Sequence, residues 1–256
     1  MLDNRQIKPM VLWTGGWDST YRVLSLTRSY SVTVQPHYLY DPGRKSVERE
    51  LEVMRRIRDA VNADESRFPG RIAELEVHDM GAMRNNPEIH DALADIRRRR
   101  HSGWQYYPLS SYIQQQGLDG IELTAQKYDS LSVILDGMLE PFETPFGASY
   151  RISGKHQGTP EHTVFSRFTF PIIDVSKREM HTQAAEHGFL PLMEETWFCH
   201  SPLKDGSQCG TCTPCIVSIR GGMGYRVPLK TRLRYRTRTP RRLFWAIRKK
   251  LRRTFG

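Results

Sequence analysis

The stretch Met10-Val-Leu-Trp-Thr-Gly-Gly-Trp-Asp-Ser-Thr20 decides the fold of this 256-residue chain. Its first residues form an apolar run typical of a buried strand, and this run leads directly into Gly15 and Gly16. Glycines leave room for backbone amides to approach a phosphate, and a helix that follows offers its N-terminus to the same anion. The stretch therefore predicts a phosphate-binding turn between a strand and a helix. It is not a Walker sequence, because no Gly-Lys-Ser/Thr follows the glycines.

Three polar side chains directly follow this turn. Ser19 and Thr20 add hydroxyl donors in the first turn of the predicted helix. Asp18 would be unusual beside a phosphate unless it holds the turn or helps to place a magnesium ion. These residues make the turn a candidate nucleotide site, with Asp18 as a candidate catalytic residue.

The pattern on either side of the turn predicts a doubly wound, parallel α/β sheet. Apolar or alternating strands are expected at 9–14, 32–40, 72–78, 120–124 and 164–173, and helices at 18–28, 45–63, 109–116 and 130–139. Strands that alternate with helices pair in parallel through right-handed crossovers. Residues 141–163 are expected to form a long loop or lid. Ser176 is expected to cap a helix, because Glu179 follows at the capping-box position.

All four cysteines of the chain lie between Cys199 and Cys215, spaced as C-x9-C-x2-C-x2-C. Thiolates two residues apart can bind one tetrahedral metal ion, so Cys199, Cys209, Cys212 and Cys215 are the candidate ligands. Zinc is the favoured ion and an iron–sulfur cluster the alternative. Because all four donors are cysteines, no position is left for water, and a structural zinc is expected. No apolar signal region precedes the first strand, so nothing points to disulfides in an oxidising compartment.

The formal net charge of +10 is concentrated at the C-terminal end. Thirteen of the 38 Lys and Arg lie in 226–256, which has no acidic residue, and the other 25 face 28 Asp and Glu. Residues 227–238 alternate as an extended segment would, and the residues after Pro240 follow the pattern of an amphipathic helix. This tail could bind nucleic acid or another acidic partner. Alternatively, it docks on the body of the protein with its arginines in water.

The turn resembles the PP-loop of the ATP pyrophosphatase superfamily, Ser-Gly-Gly-x-Asp-Ser, with Thr14 in place of the first Ser. Phe170-Pro-Ile-Ile-Asp-Val-Ser-Lys-Arg-Glu-Met180, Glu195-Thr-Trp-Phe-Cys199 and Cys209-Gly-Thr-Cys-Thr-Pro-Cys215, with Arg220, resemble the 7-cyano-7-deazaguanine synthase (QueC) family. The resemblance covers about the first 45 residues and roughly 170–220. It implies an adenine nucleotide alpha-hydrolase-like fold.

The resemblance also implies a chemistry. ATP with Mg²⁺ would activate a carboxylate for attack by ammonia, on a 7-carboxy-7-deazaguanine base, in a carbon–nitrogen ligase. The implied ATP-binding residues are Thr14, Gly15, Gly16, Asp18, Ser19 and Thr20. Lys177 would lie near the phosphates and is the second candidate catalytic residue, although simple solvation at a helix start explains it equally well. The implied zinc ligands are the four cysteines.

One region departs from the family pattern. Tyr107-Pro-Leu-Ser-Ser-Tyr112 stands where the family has Val-Pro-x-Arg-Asn, and the basic tail is an addition. Two alternatives therefore stay open: an enzyme that modifies or conjugates a nucleic acid or protein with a deazaguanine-like group, and a non-catalytic protein that binds nucleotide and nucleic acid. The expected domains are 1–198 for the nucleotide, 199–225 for zinc and 226–256 for the tail. No apolar run is long enough to span a bilayer. We expect a cytoplasmic protein and leave a homodimer open.

Overall fold

The computed structural model describes residues 8–83 and 86–235. The chain divides into two compact units, the first formed by Met1–Pro42 and Arg49–Trp197, the second by Gly43–Glu48 and Phe198–Gly256. The first unit holds the sheet and the second holds the cysteines.

A parallel sheet organises the first unit. Its six described strands are β1 (Met10–Leu12), β2 (Thr33–Tyr40), β3 (Arg71–Ile72), β4 (Glu76–Asp79), β5 (Ile121–Glu122) and β8 (Phe168–Thr169). They lie in the order β3-β2-β1-β5-β8, with β4 also paired to β2, and every pairing is parallel. An antiparallel hairpin of β6 (Leu139–Thr144) and β7 (Gly147–Ile152) stands apart from this sheet.

Nine α-helices with both ends described accompany the strands, in addition to the helical residues 229–235. They are α1 (Trp17–Ser29), α2 (Val47–Ala63), α3 (Pro87–Arg99), α4 (Tyr106–Gln115), α5 (Ser130–Ile134), α6 (Pro160–Phe165), α7 (Lys177–Glu186), α8 (Leu190–Glu194) and α9 (Thr213–Arg220). Strands and helices alternate along the sheet, as crossover connections require. The structure confirms the predicted α/β class, with a parallel sheet consistent with a PP-loop fold.

Side chains alternate between the two faces of β2. Leu39 and Leu12 pack with residues of α3, α4 and α6 in the main apolar core of the sheet. On α1, Arg22 donates two hydrogen bonds of 2.7 Å to the Glu122 carboxylate on β5, and both side chains are buried. Removing one partner of such a buried pair typically costs about 3–5 kcal/mol. This pair therefore fixes α1, and with it the turn that precedes it, against the centre of the sheet.

The expected loop at 141–163 is wrong. Antiparallel pairing from Leu139↔Ile152 to Thr144↔Gly147 forms the β6–β7 hairpin, whose turn is held by the Phe146 amide donating to Thr144 Oγ1 at 3.0 Å. The expected strand at 164–173 is also wrong in its first part. Thr159 caps α6 and Pro160 begins it, so the helix runs on through Phe165.

Three further expectations need correction. The helix expected at 130–139 ends at Ile134, because residues from Leu139 onward pair in the hairpin instead. The strand expected at 72–78 is divided between β3 and β4. In the tail, residues 229–235 are helical rather than extended, and the amides of Thr231 and Arg232 both donate to the Pro228 carbonyl. The helix expected after Pro240 lies outside the described residues.

Among the residues that the structure describes, no helix is both long enough and apolar enough to cross a membrane.

Candidate functional site

The glycine turn lies between β1 and α1, as the sequence predicts. Gly15 has φ +66°, and a Cβ on it would lie 3.1 Å from Met54 Cγ and 3.3 Å from the Glu50 carbonyl oxygen. A side chain is therefore disfavoured there by both backbone conformation and space. The Gly15 carbonyl accepts a hydrogen bond of 2.9 Å from the Trp197 amide. The turn is thus supported from behind by the segment that leads into the first cysteine.

Gly16 is the N-cap residue of α1, and as a glycine it has no side chain with which to cap the helix. The first amides of a helix have no partner within the helix, and they carry the positive end of its dipole. Ser19 Oγ lies 3.3 Å from the Thr14 hydroxyl, and the Thr14 amide donates to Ser19 Oγ at 3.3 Å. Two hydroxyls and the amides of one helical turn therefore converge, which is an arrangement suited to an anion such as phosphate.

Thr20 is turned the other way. Its side chain is fully buried, and its Oγ1 accepts a hydrogen bond of 2.9 Å from the Trp13 indole nitrogen. Its amide donates to the Gly16 carbonyl at 3.0 Å. Of the residues predicted for nucleotide binding, Thr20 thus has its hydroxyl and amide engaged within the protein, and it ties the end of β1 to α1.

Asp18 and Lys177 lie far apart in sequence but form an ion pair. Lys177 Nζ donates to both carboxylate oxygens of Asp18, at 2.8 and 3.1 Å. Asp18 is the second residue of α1 and Lys177 is the first residue of α7, so the pair joins the first turns of two helices. Burial raises the pKa of Asp18, and the nearby Lys177 ammonium opposes this rise. The two candidate catalytic residues are therefore brought together at the glycine turn.

The start of α7 is fixed by local interactions. The Ser176 hydroxyl accepts from the Glu179 amide, and Glu179 Oε2 accepts from the Ser176 amide at 2.8 Å, which confirms the predicted capping box. Trp17 on α1 is buried, and its ring stacks on His181 of α7 with centroids 6.3 Å apart. This packing explains how the turn accommodates a bulky residue beside Asp18, and it holds Lys177 in place.

A cleft of about 400 Å³ opens beside the connection that carries Lys177. It is lined by the residues after β5, by both strands of the hairpin and by Asp174. The Asp174 carboxylate accepts a hydrogen bond from Tyr150 and raises the pKa of this phenol. The Lys127 amide donates to the Val175 carbonyl at 3.1 Å, which ties the two loops of the cleft together. In parallel α/β sheets, ligands bind beyond the carboxyl ends of the strands, where these loops lie.

The four cysteines of the second unit converge on one point. Their Sγ atoms all lie within 4.8 Å of one another, with Cys199 to Cys212 at 3.9 Å and Cys209 to Cys215 at 4.0 Å. A tetrahedral zinc with Zn–S bonds of about 2.3 Å separates its sulfur ligands by about 3.8 Å. The donor set and its spacing therefore fit one tetrahedral metal ion.

Backbone amides donate hydrogen bonds to two of the four sulfurs, those of Cys199 and Cys209. The amides of Thr211 and Cys212 donate to Cys209 Sγ at 3.4 and 3.3 Å, and the Cys209 amide donates to Cys199 Sγ at 3.2 Å. The sulfur–sulfur contact with Cys199 lowers the pKa of Cys212, and the same contact raises the pKa of Cys199 to about 12. One thiolate is thus stable by itself, but four need a cation. The cluster is suited to hold a metal.

Gly210 lets the backbone of the second unit come close to itself. Its φ is +71°, and a Cβ there would lie 2.2 Å from the Thr231 carbonyl oxygen. Thr231 is buried and belongs to the helical residues 229–235. The Cys-Gly-x-Cys step is therefore packed directly against the beginning of the predicted tail, which makes that beginning part of the cysteine unit.

Residues 158–224 match the family model of the queuosine biosynthesis protein QueC. The matched segment includes Lys177, the capping box of α7 and all four cysteines. It does not include the glycine turn, which contacts this segment through Asp18 and Gly15. A search of curated protein sequences gave no match to the chain. The chain is QueC-like over this segment, and the match supports an ATP-using enzyme of the PP-loop kind.

Two aromatic residues of the middle region pack against neighbouring side chains. Tyr106 is buried and packs edge-on against Phe165, with centroids 5.2 Å apart. Trp104 is half-exposed, with His90 stacked on its ring and the Arg97 guanidinium 4.5 Å from the ring centroid. The residue that sequence reasoning overlooked is Tyr112, whose hydroxyl contacts His37 and His78. In the sequence, the only sign of this cluster is that His37 and His78 both lie in predicted strands.

Proposed function

We propose that this protein uses ATP to activate a carboxylate, which ammonia attacks to give an amide and, after a second activation, a nitrile. The acyl substrate that we infer is 7-carboxy-7-deazaguanine, and the product is 7-cyano-7-deazaguanine. The contact between Asp18 and Lys177 carries this proposal, because it joins the glycine turn to the QueC-like segment at one place.

The phosphates of ATP are assigned to the glycine turn. The first amides of α1 and the hydroxyls of Thr14 and Ser19 would bind their oxygens, and Lys177 would neutralise their charge. Asp18 holds Lys177 in place and is the residue that would position a Mg²⁺ ion bound with the nucleotide. Thr20 would not contact the phosphates. Its hydroxyl accepts a hydrogen bond from Trp13 and so supports the turn from within the protein.

The reaction removes two oxygens from the carboxylate carbon, and each leaves on a phosphoryl group. In the first step a carboxylate oxygen attacks a phosphorus atom of ATP and breaks its P–O bond to the neighbouring phosphate, so that ADP or pyrophosphate leaves. Ammonia then adds to the activated carbon, the phosphorylated oxygen departs and one proton is lost, which gives the amide. The amide oxygen is activated in the same way, and loss of the phosphorylated oxygen together with both protons of the amide nitrogen forms the nitrile. The protein's contribution is to fix the phosphates and to exclude water.

The cleft beside Lys177 is our candidate for the base. Its carboxylates, Asp136 and Asp174, are acceptors for the N–H groups that a deazaguanine presents on its pyrimidine edge. Tyr128, exposed and with φ +72°, offers a ring beside them for stacking. Asp174 lies three residues before Lys177, so a base held there would present its carboxylate near the nucleotide.

The cysteines are assigned to a structural zinc. Four thiolates leave no position on the ion for substrate. The ion would therefore cross-link the second unit and take no part in the reaction. Lysine and arginine of the tail beyond residue 235 remain our candidates for contact with an acidic partner.

The proposal is tested by mass spectrometry of a reaction that contains the purified full chain, Mg-ATP, ammonium and 7-carboxy-7-deazaguanine. We expect the nitrile from the wild-type protein and none from Asp18→Asn, which keeps the shape of the side chain but removes its charge. Arg178→Gln changes the exposed neighbour of Lys177 and should retain activity. Amide without nitrile would mean a ligase that stops at the first step.

An unchanged base would contradict the free-base reaction. If the base then appeared covalently bound to RNA or protein, the chain would be a conjugating enzyme. If ATP turnover equalled that of Asp18→Asn with every acceptor, a non-catalytic nucleotide-binding role would replace the proposal.

A further inference from the structure

A polar cluster in the first unit remains outside the proposed reaction. His37 on β2, Glu76 and His78 on β4, and Tyr112 on α4 bring their polar atoms together. Because β2 and β4 are parallel neighbours, with His37 opposite Glu76 and Leu39 opposite His78, the sheet itself fixes the spacing of three of these residues. Helix α4 packs on the same face of the sheet and contributes the fourth residue, Tyr112.

The distances within the cluster are those of a metal site. Glu76 Oε2 lies 3.4 Å from His37 Nδ1 and 3.7 Å from His78 Nε2. The Tyr112 hydroxyl lies 3.0 Å from His37 Nδ1 and 2.9 Å from His78 Nε2. Tetrahedral ligands about 2.0–2.1 Å from a zinc ion are separated by about 3.3–3.4 Å. Each of these four separations is close to that value, and the ligand atoms of His37, Glu76 and His78 all lie within 4.8 Å of one another.

We propose that His37, Glu76, His78 and Tyr112 form a second metal site, which binds a divalent transition ion of the zinc class. A site with two imidazoles and a carboxylate binds such ions in preference to Mg²⁺ or Ca²⁺. With Tyr112 as the fourth donor the site is closed, so the ion links β2, β4 and α4. The site lies one strand from the glycine turn, since the His37 carbonyl accepts a hydrogen bond of 2.9 Å from the Trp13 amide.

The ring nitrogen of His37 that would not bind the metal, Nε2, affects the metal affinity of the site. This nitrogen is buried, and no described residue provides a hydrogen-bond partner for it. Metal ligation by Nδ1 leaves the ring proton on Nε2, where ligating histidines usually have an acceptor. This deficiency weakens binding. We therefore expect a chelator to remove this ion before it removes the ion of the four cysteines.

The test measures zinc bound per chain by equilibrium dialysis of the full-length protein at a fixed free zinc concentration. Glu76 is about half exposed, so Glu76→Gln tests the site with little risk to folding. Glu74→Gln is the matched control, because Glu74 lies two residues away, is largely exposed and faces Arg58 instead. His78→Ala is a second test variant, checked for its fold by circular dichroism.

We expect two zinc ions per chain in the wild type and in Glu74→Gln, and one ion in Glu76→Gln and in His78→Ala. Equal zinc content in the wild type and both test variants would overturn the proposal, whether that content is one ion or two. Cobalt gives an independent measure. The proposal requires that the second cobalt equivalent adds no thiolate charge-transfer absorption, and it fails if this absorption grows with both equivalents.

Discussion

The cysteine cluster and the glycine turn are built in opposite ways. The cluster consists of four side chains from one short stretch, Cys199–Cys215, whose like charges repel until a cation joins them. The turn consists mainly of backbone, supported by the sheet, and its Asp18 carboxylate is already paired with Lys177. One site therefore depends on its ligand to exist, whereas the other exists before its ligand arrives.

The strongest way to break this comparison is to remove the metal. A structural zinc contributes an apparent binding energy of about 10–16 kcal/mol in zinc-finger peptides, and this energy goes into folding. We expect Cys212→Ser to abolish hydrogen-exchange protection in residues 198–235, while residues 10–40 keep theirs. Mass spectrometry of exchanging peptides measures both, with Ser218→Ala on α9 as control. Equal loss of protection in both regions would show that the turn also depends on the metal.

A second prediction concerns the space around Gly210. Gly210→Ala places a methyl group 2.2 Å from the Thr231 carbonyl and adds the strain of a positive φ, so we expect a loss of about 3 kcal/mol or more. Gly206 has a similar φ of +77° but open space around its Cβ position, so Gly206→Ala should cost about 1 kcal/mol. Thermal unfolding of the zinc-loaded protein measures the difference. Equal losses would mean that only backbone strain acts there.

The difference between the two sites also explains what the sequence could predict. The four cysteines, and the strand, turn and helix at residues 10–29, are local patterns, and the structure places them as expected. The pairing of Asp18 with Lys177 joins residues that are 159 positions apart, so only the family resemblance suggested that Lys177 belongs near the turn. The contacts of Tyr112 with His37 and His78 likewise join residues far apart in the sequence, and no local pattern predicts them.

The wrong expectations lie where tertiary pairing overrides local pattern. Residues 141–163 are rich in Gly, Pro and His and read as a loop, yet the ladder between Leu139 and Ile152 makes most of the first part a hairpin. Val164 and Phe165 are apolar enough for a strand, but the cap at Thr159 and Pro160 commits them to a helix. Short apolar runs do not distinguish these states.

A third prediction addresses the turn itself. If Lys177 neutralises phosphate charge, Lys177→Gln should lower the rate of ATP-dependent turnover by about 100-fold, which is typical for the loss of one donor to a developing negative charge. Arg178→Gln, the exposed neighbour, should change the rate less than about twofold. Steady-state kinetics with the deazaguanine substrate measures both. Similar losses in the two variants would indicate a general effect of positive charge rather than the specific contact with Asp18.

The smallest expected effect follows from the pKa of Asp18. Burial raises it, so the folded state binds this proton more tightly than the unfolded state does. Stability from Asp18 is therefore present at low pH and is lost as the pH rises from about 3.9 through the folded pKa, by about 1.4 kcal/mol for each pKa unit. Relative to Asp18→Asn, the wild type should lose free energy of unfolding across this range.

Lys177→Gln sharpens this last prediction. Because the Lys177 ammonium lowers the pKa of Asp18, its removal should extend the loss of stability to higher pH. Chemical denaturation of wild type, Asp18→Asn, Lys177→Gln and the double variant at several pH values gives the differences, in which the protonation of the cysteines cancels. A wild type that gains stability over Asp18→Asn as the pH rises would mean that the ion pair outweighs burial. The turn would then resemble the cysteine cluster after all, as a negative charge held in place by a cation.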